Sequence, residues 1–369
     1  MKKIFCSASK EDRHEYVKYL KAVSSISPLF SDSPAPYIDY RIVENLFCRC
    51  FDAENLSRSC IAIDARLDSA GIGIKTFVDS QFQKIAEFDK KRSYTDTGNI
   101  TEDAIRVSEL RNERLNFSKD AYAIDDFLYH YVVRRPGRLA IHECPMDYID
   151  IDKIKVTKET EKGFDFTDGK NRFRFSRSKS TILEAFDLNN PVYDFDVDFI
   201  ADPMKAITSA FEEEFTIDGL MNPDSSKQKP TLVLPLFSKR GTIHVPERSG
   251  LNQWNAGGRK RDCDEIYIPY QKEDRERIPD FFPGRDEPFD LELPSGETLS
   301  AKVCQDQGKA IMSNPNKELG RWLLRDVLHL EEGQLVTMEM LDDLGVNAVM
   351  FTKDAPGKYS IDFTQIDYF

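Results

Sequence analysis

The sequence predicts two domains of different class, an α+β N-terminal part and a β-rich C-terminal part. Three observations lead there. Apolar residues recur at helical spacing in two early segments and then give way to a pair of short strand-like runs. A long middle stretch alternates in the manner of strands. A polar, turn-forming segment, residues 222–230, then precedes a restart of the apolar pattern as TLVLPLF. The expected domains are therefore 1–228 and 229–369, each long enough for its own core.

In chain order, the first helix is expected over about 10–23, where Ser9 and Asp12 mark the start and Tyr16, Val17, Leu20 and Val23 share a face. Pro28, Pro34 and Pro36 break the chain. A second helix follows, with Ile42, Val43, Leu46, Phe47, Cys50 and Phe51 on one face. Strands are expected at 60–65 and 71–77, joined by the turn Leu67-Asp68-Ser69-Ala70. Helical stretches come next at about 81–88 and 101–115. Strands then follow at 129–134, 139–143, 154–157, 164–166 and 172–175, with Asp168-Gly169 as a hairpin turn. Beyond the boundary, short strands at 265–269, 289–293, 299–303, 348–351 and 359–363 surround one helix at 317–328, whose apolar face is Leu319, Trp322, Leu323 and Val327.

Composition narrows the function classes. Acidic residues outnumber basic ones, 64 to 51, for a net charge of −13. Taken alone, that argues against a polyanionic partner, which needs cations to displace its counterions. The positive charge is clustered, however, at Lys239, Arg240, Arg248, Arg259, Lys260 and Arg261, while acidic runs lie at Glu212, Glu213, Glu214 and over 331–343. The field a partner meets depends on such clustering rather than on the net value. Seven cysteines without a CxxC pair indicate neither a disulfide framework nor a zinc ribbon, and a reducing cytoplasm is the expected compartment. The N-terminus is too polar for a secretory leader, and no segment approaches membrane-spanning length, so no membrane partner is expected.

The most specific signal lies in SGLNQWNAGGRKRDCDEIYIPY at 249–270 and FFPGRDEPFDLELPSGETLSAKVCQDQGKAIMSNPNKELGRWLL at 281–324. In the first run, Arg259, Lys260 and Arg261 follow the flexible Ala256-Gly257-Gly258 as a basic arm, and arginine can grip guanine O6 and N7 through two bonds. Asn252, Gln253 and Asn255 carry side chains suited to adenine edges. Trp254 is either a stacking face for a base or an anchor packing the arm on its domain. In the second run, Lys309 and Lys317 can meet phosphates, and Gln307, Ser313, Asn314 and Asn316 offer hydrogen-bonding tips. The bland alternative is a solvated loop whose Ser/Asn cluster caps the following helix. Over about 230–365 these motifs resemble, in order, the C-terminal DNA-binding domain of restriction endonucleases of the NgoFVII type, itself similar to the pseudobarrel of the plant B-three transcription factors. That resemblance implies a C-terminal β pseudobarrel with two arms clasping the major groove of double-stranded DNA.

A catalytic site must then be sought before residue 228. Covalent histidine chemistry of the phospholipase-D type needs an HxK pair, and none of the five histidines, at 14, 130, 142, 244 and 329, has lysine two positions on. His142 reads as a strand residue with no second histidine nearby to share a metal. Carboxylate chemistry remains: acidic oxygens hold Mg²⁺ and a lysine assists water or the charged transition state. Asp64 ends one expected strand and Lys75 lies in the next, so pairing brings them together. Glu87 lies twelve positions beyond Lys75 on an expected helix, with Asp89 and then Asp79 in reserve as the second acid. Glu44, on the preceding helix, is a remote acid. The arrangement resembles the PD-(D/E)xK nuclease fold, in the variant whose second acid has left the strand; it departs in having no proline before Asp64 and Gly73 where the strand carboxylate would stand. The resemblance implies a mixed sheet with flanking helices over about 37–117, with a β-rich extension over 118–228. Asp64, Lys75 and Glu87 are the expected catalytic residues, and Asp64, Glu87 and Glu44 the expected Mg²⁺ ligands. Arg134, Arg135, Arg138, Arg172, Arg174, Arg177 and Lys179 either contact backbone phosphates or form a solvated sheet face.

The expectation is a type II restriction endonuclease, and the need to cut two strands implies a homodimer. The alternatives are a non-catalytic DNA-binding regulator and a nuclease that requires a modified base.

Overall fold

The computed structural model describes residues 3–57, 61–90, 94–211, 229–239 and 241–367. The expected linker at 222–228, the acidic run Glu212, Glu213 and Glu214, and Arg240 and Cys60 lie outside the described residues. The chain forms two compact units: Met1–Ser57, Ala62–Glu109 and Ile124–Gln228 in one, Arg58–Ile61, Leu110–Ala123 and Lys229–Phe369 in the other. The helix Ile100–Tyr122, expected to lie wholly in the first domain, thus lends its later turns to the second unit.

In the N-terminal unit, helix Lys10–Ser25 starts where Ser9 Oγ accepts the Asp12 N–H at 3.0 Å, and helix Tyr40–Phe51 starts where Asp39 accepts the Arg41 N–H at 2.9 Å. Their apolar faces, including Tyr16, Leu20, Val43 and Phe47, pack on Ile72, Ile74, Val132 and Ile141 of a six-stranded sheet. Its order is Glu54–Asn55, Ala65–Leu67, Ala70–Val78, Asp126–Arg135, Arg138–Pro145 and Tyr193–Asp196. Ala70–Val78 and Asp126–Arg135 run parallel, and the other pairs are antiparallel. At the centre His130 bridges the Tyr16 hydroxyl and Glu143 Oε1, both at 3.0 Å, and the Phe5 N–H donates to the same oxygen at 2.9 Å. This buried chain ties the first helices to the sheet.

Two local expectations are corrected. The strand expected over 60–65 begins only at Ala65. The Asp64 carboxylate accepts the Ile74 N–H at 2.7 Å, taking the place of a backbone carbonyl and ending the ladder there. The helix expected over 81–88 is the strand Phe82–Glu87, paired with Thr181–Ala185. So short a helix has little stability of its own, and an available sheet edge overrides a helical pattern. That strand borders a second, antiparallel sheet in the order Phe82–Glu87, Thr181–Ala185, Arg172–Ser176, Gly163–Thr167, Lys155–Thr160. The expected turn at Asp168-Gly169 joins two of its strands: the Asp168 carboxylate accepts the N–H groups of Lys170 and Asn171, and Gly169 takes a φ of +87°.

The C-terminal unit is a seven-stranded sheet in the order Thr231–Pro235, Ala348–Ala355, Lys358–Thr364, Pro288–Glu292, Thr298–Cys304, Ala310–Ser313, Ile268–Pro269. Its first and last strands lie against each other, so the sheet is a nearly closed barrel. Phe282 fills the interior, with its ring 5.0–5.3 Å from those of Tyr270, Phe289, Phe351 and Tyr359. The expected helix is a single turn, Glu318–Gly320, continued by the wider turn Arg321–Val327, and Trp322 stacks on Phe363 at 5.5 Å. Phe117, from the helix segment belonging to this unit, meets Phe363 edge-on at 5.0 Å.

Candidate functional site

Strand alternation decides what Lys75 faces. Ile72 and Ile74 point to the helices, so Gly71, Gly73 and Lys75 point to the other side of the sheet. On that side Lys75 is in register with Tyr131, and Tyr131 with His142, which stacks on it at 4.9 Å and 10°. The Lys75 ammonium stands 5.5 Å from the centre of the Tyr129 ring. Burial pushes its pKa down, while the nearby charges of Asp64 and then Glu184 pull it back up.

Asp64 enters from the neighbouring strand end. Burial raises its pKa, and the Lys75 charge and the Ile74 N–H oppose the rise. Glu44, 3% exposed on helix Tyr40–Phe51, is pushed up to about 7 by burial first and the charge of Asp64 second. Arg41 counters with an ion pair at 3.2 Å. Two neighbouring carboxylates, the charge of one raising the other, beside a partly buried lysine form a charge arrangement typical of functional sites and able to take a cation.

Glu87 is not brought into this group. Its carboxylate is held below the usual range by hydrogen bonds to Lys90 and Lys84, at 2.9 and 3.0 Å, on a partly exposed strand end. Asp79 pairs with Arg135 at 3.5 Å. After Asp64, the acid whose charge acts most on Lys75 is Glu184, which sequence reasoning missed. Just past the end of its strand Thr181–Ala185, the Phe186 ring lies 5.0 Å from both Tyr129 and Tyr131. Glu184, two residues earlier, shares that inward side and is 7% exposed. A signal was present: Ile182, Glu184 and Phe186 occupy one strand register, and an acid on an inward register is unusual. Gly73 explains why the acid comes from elsewhere, since a Cβ there would lie 2.5 Å from Met146 Cε and 2.9 Å from the Tyr129 ring.

Among the described residues, the one group placing three possible ligand atoms within 4.8 Å of each other is Asp262, Cys263 and Asp264. Asp264 is committed to Arg325 at 2.7 Å and the Cys263 thiol to Glu332 at 3.3 Å, so this is a structural knot. The N-terminal carboxylates are therefore not a preformed three-ligand cage. Mg²⁺ is commonly held by one or two carboxylates and several waters, and Asp64 with Glu44 fits that donor set. Four of the seven residues of the expected basic set are paired with acids: Arg138 with Asp194, Arg174 with Asp165, Arg177 with Glu159 and Arg135 with Asp79.

On the C-terminal barrel the two expected arms are largely folded in. Residues Gly250–Asn255 form a 3-10 turn. Asn252 is fully buried, donating to Pro246 O and Val336 O at 3.1 and 3.0 Å and accepting the Val336 N–H at 2.9 Å. Gln253 is 9% exposed and donates to Glu265 at 3.4 Å, and Asn255 is exposed and donates to Glu247 O. Trp254 is partly buried with its indole nitrogen enclosed, which favours the anchor role. Arg259 and Lys260 are exposed, and Arg261 is mostly covered.

The second segment is likewise not one flexible arm. Ala310–Ser313 is a buried barrel strand, and Ser313 accepts the Leu319 N–H at 2.9 Å at the start of the following helix. The capping alternative therefore holds for Ser313. On either side Gln307, Lys309, Asn314, Asn316 and Lys317 are exposed on turns. The physical reason is common to both segments: a polar side chain facing the barrel satisfies backbone groups that have no strand partner.

The chain is thus a two-unit α+β protein with a carboxylate–lysine group in one unit and an exposed polar face on a barrel in the other. Residues 224–355 match the family of NgoFVII C-terminal B3-like DNA-binding domains. No curated protein matches the chain. Among the described residues, no helix is long and apolar enough to cross a membrane.

Proposed function

We propose that this protein is a restriction endonuclease of the site-specific type, in which the C-terminal barrel reads double-stranded DNA and the N-terminal unit hydrolyses a phosphodiester with Mg²⁺. The family match over 224–355 supports the reading role. The observation that carries the catalytic role is the mutual action of Asp64 and Lys75 on neighbouring segments, with Glu44 of the preceding helix acting on Asp64. The element order supports it further. Helix Tyr40–Phe51, three strands of the six-stranded sheet and, after the strand Phe82–Glu87 that joins the second sheet, helix Ile100–Tyr122 and a strand parallel to Ala70–Val78 agree with a PD-(D/E)xK core.

In this reading Asp64, fixed by the Ile74 N–H, and Glu44 would hold the metal. Bound Mg²⁺ supplies Lewis-acid polarisation of the phosphate and an acidified water. Lys75 supplies a donor for the negative charge that grows on the phosphate oxygens. The Tyr129 ring and Glu184 keep its ammonium in place. Glu44 is then the second metal-holding acid in place of Glu87, and Glu184 acts on Lys75 and not on the metal. Exposed Arg259, Lys260, Gln307, Lys309, Asn314, Asn316 and Lys317 would meet the duplex, and cutting both strands calls for a homodimer.

Incubation with unmethylated plasmid and Mg²⁺ tests the proposal, with EDTA and Lys75→Ala as controls. Discrete, Mg²⁺-dependent fragments are expected. A mobility shift without cutting would replace the proposal with a regulator, and cutting of methylated DNA alone with a modification-dependent nuclease.

A further inference from the structure

We propose that Glu265 is a positioning residue for base reading: a buried carboxylate that holds the Arg259 guanidinium at the barrel surface, while Arg261 remains as its structural counter-charge. The inference rests on the reading of this barrel as a DNA-binding domain. Glu265 is 7% exposed and lies just before strand Ile268–Pro269. Its Oε1 receives Arg259 Nη2, lies 3.7 Å from Arg261 Nε and accepts from Gln253 Nε2 at 3.4 Å.

The two arginines on this carboxylate differ in exposure. The Arg261 side chain is 15% exposed, and its Nη1 also donates to Ala256 O, which closes the 256–261 loop. The Arg259 side chain is 59% exposed. It follows Gly257 and Gly258, where an added Cβ would meet nothing within 4 Å and Gly258 takes a φ of +107°. The backbone therefore constrains Arg259 little, and Glu265 is the acid that holds it.

Such a contact does two things. Fixing one guanidinium nitrogen removes rotamers before DNA arrives, and the rest of the fork stays open for a bidentate grip on a base edge. A charge-assisted bond to a rigid, buried partner orients better than a water-exposed one. If Arg259 moves onto a base, Arg261 still compensates the buried charge, so the contact does not trap the reader. A carboxylate acting only as a competitor for Arg259 would instead lower affinity for every sequence.

Selection from a pool of random 20-bp duplexes, with the full chain in EDTA and sequencing of the bound fraction, distinguishes these roles. Wild type is expected to enrich a motif. Arg259→Ala should lose preference at one position by roughly tenfold. Glu265→Gln should lose preference at that same position by roughly three- to tenfold, other positions being unchanged, because a neutral amide holds guanidinium less firmly. Added to Arg259→Ala, it should change nothing more. Glu265→Asp keeps the charge but withdraws it by one methylene; it should blur the same position, and it serves if the Gln variant does not fold. Tighter binding of all sequences by Glu265→Gln, an even loss across the motif, or an unchanged motif would overturn the positioning role. A wild-type chain that enriches no sequence would instead sink the DNA-reading assignment itself.

Discussion

Lys75 in the N-terminal unit feels the charges of Asp64 and Glu184, and Arg259 in the C-terminal unit is paired with Glu265, but the two cations sit in opposite settings. Lys75 lies over the Tyr129 ring with its pKa drawn down by burial, and Arg259 leaves more than half of its side chain in water. Desolvation strengthens every charge interaction around the first and suits it to act on a developing charge. Exposure leaves the second able to reach a partner that is itself hydrated. Under the proposed function, a cation near a carboxylate would serve chemistry in one unit and recognition in the other, and exposure to water separates the two roles.

Lys75→Ala is the largest test of that contrast. Cleavage should fall roughly 10³-fold or more, while binding of a duplex in EDTA stays within about twofold of wild type. A single-turnover assay beside fluorescence anisotropy measures both. Cleavage that survives would detach Lys75 from chemistry and leave the barrel's role standing.

On the barrel, the contrast lies between side chains that look alike. Asn252→Ala leaves the Val336 N–H and C=O without their buried partners, so unfolding of the C-terminal unit should lose about 3 kcal/mol. Asn314→Ala, at an exposed turn, should move stability by less than about 0.5 kcal/mol and weaken DNA binding instead. Urea titrations and anisotropy separate the two, and an Asn252 variant as stable as wild type would show that the 3-10 turn is not held as described.

Next in size is the choice between two acids. Glu184→Gln should slow cleavage roughly 10- to 100-fold, the usual cost of losing a group that orients the reacting ones. Glu87→Gln, which removes contacts to Lys84 and Lys90, should stay within about twofold. The reverse order would restore Glu87 to the site.

These tests trace what was legible in the sequence. Periodicity located helices Lys10–Ser25 and Tyr40–Phe51 and the strand bearing Lys75, because each buries one face and the pattern of that face is local. Glu184 was hidden because its partner lies more than a hundred positions away, and only the docking of Phe186 on the Tyr129 face shows what the strand faces. The short run 82–87 read as a helix because a few apolar residues fit either period, and pairing with Thr181–Ala185 decided the outcome. Asn252 and Ser313 looked like base readers because a hydrogen-bonding side chain carries no mark of whether its partner is a base edge or a backbone group.

His142 offers the smallest test, and its sign can be worked out. The residue is 1% exposed on the Lys75 side of the sheet, and burial pushes its pKa down to about 4. In the unfolded chain a histidine protonates near 6.5, so between those values the unfolded state binds more protons than the folded one. The stability His142 contributes is therefore complete above about pH 6.5 and is lost as pH falls toward 4, by on the order of 3 kcal/mol. His142→Phe keeps a ring against Tyr131 but cannot protonate. It loses a polar contact equally at every pH, so the readout is the slope of stability against pH and not its level. Urea titrations of the N-terminal unit at pH 8, 6.5 and 5 should show the wild type losing ground to the variant only on the acid side. Parallel slopes would mean that His142 takes up its proton without leaving the sheet, and that this face is better hydrated than the burial of Lys75 implies.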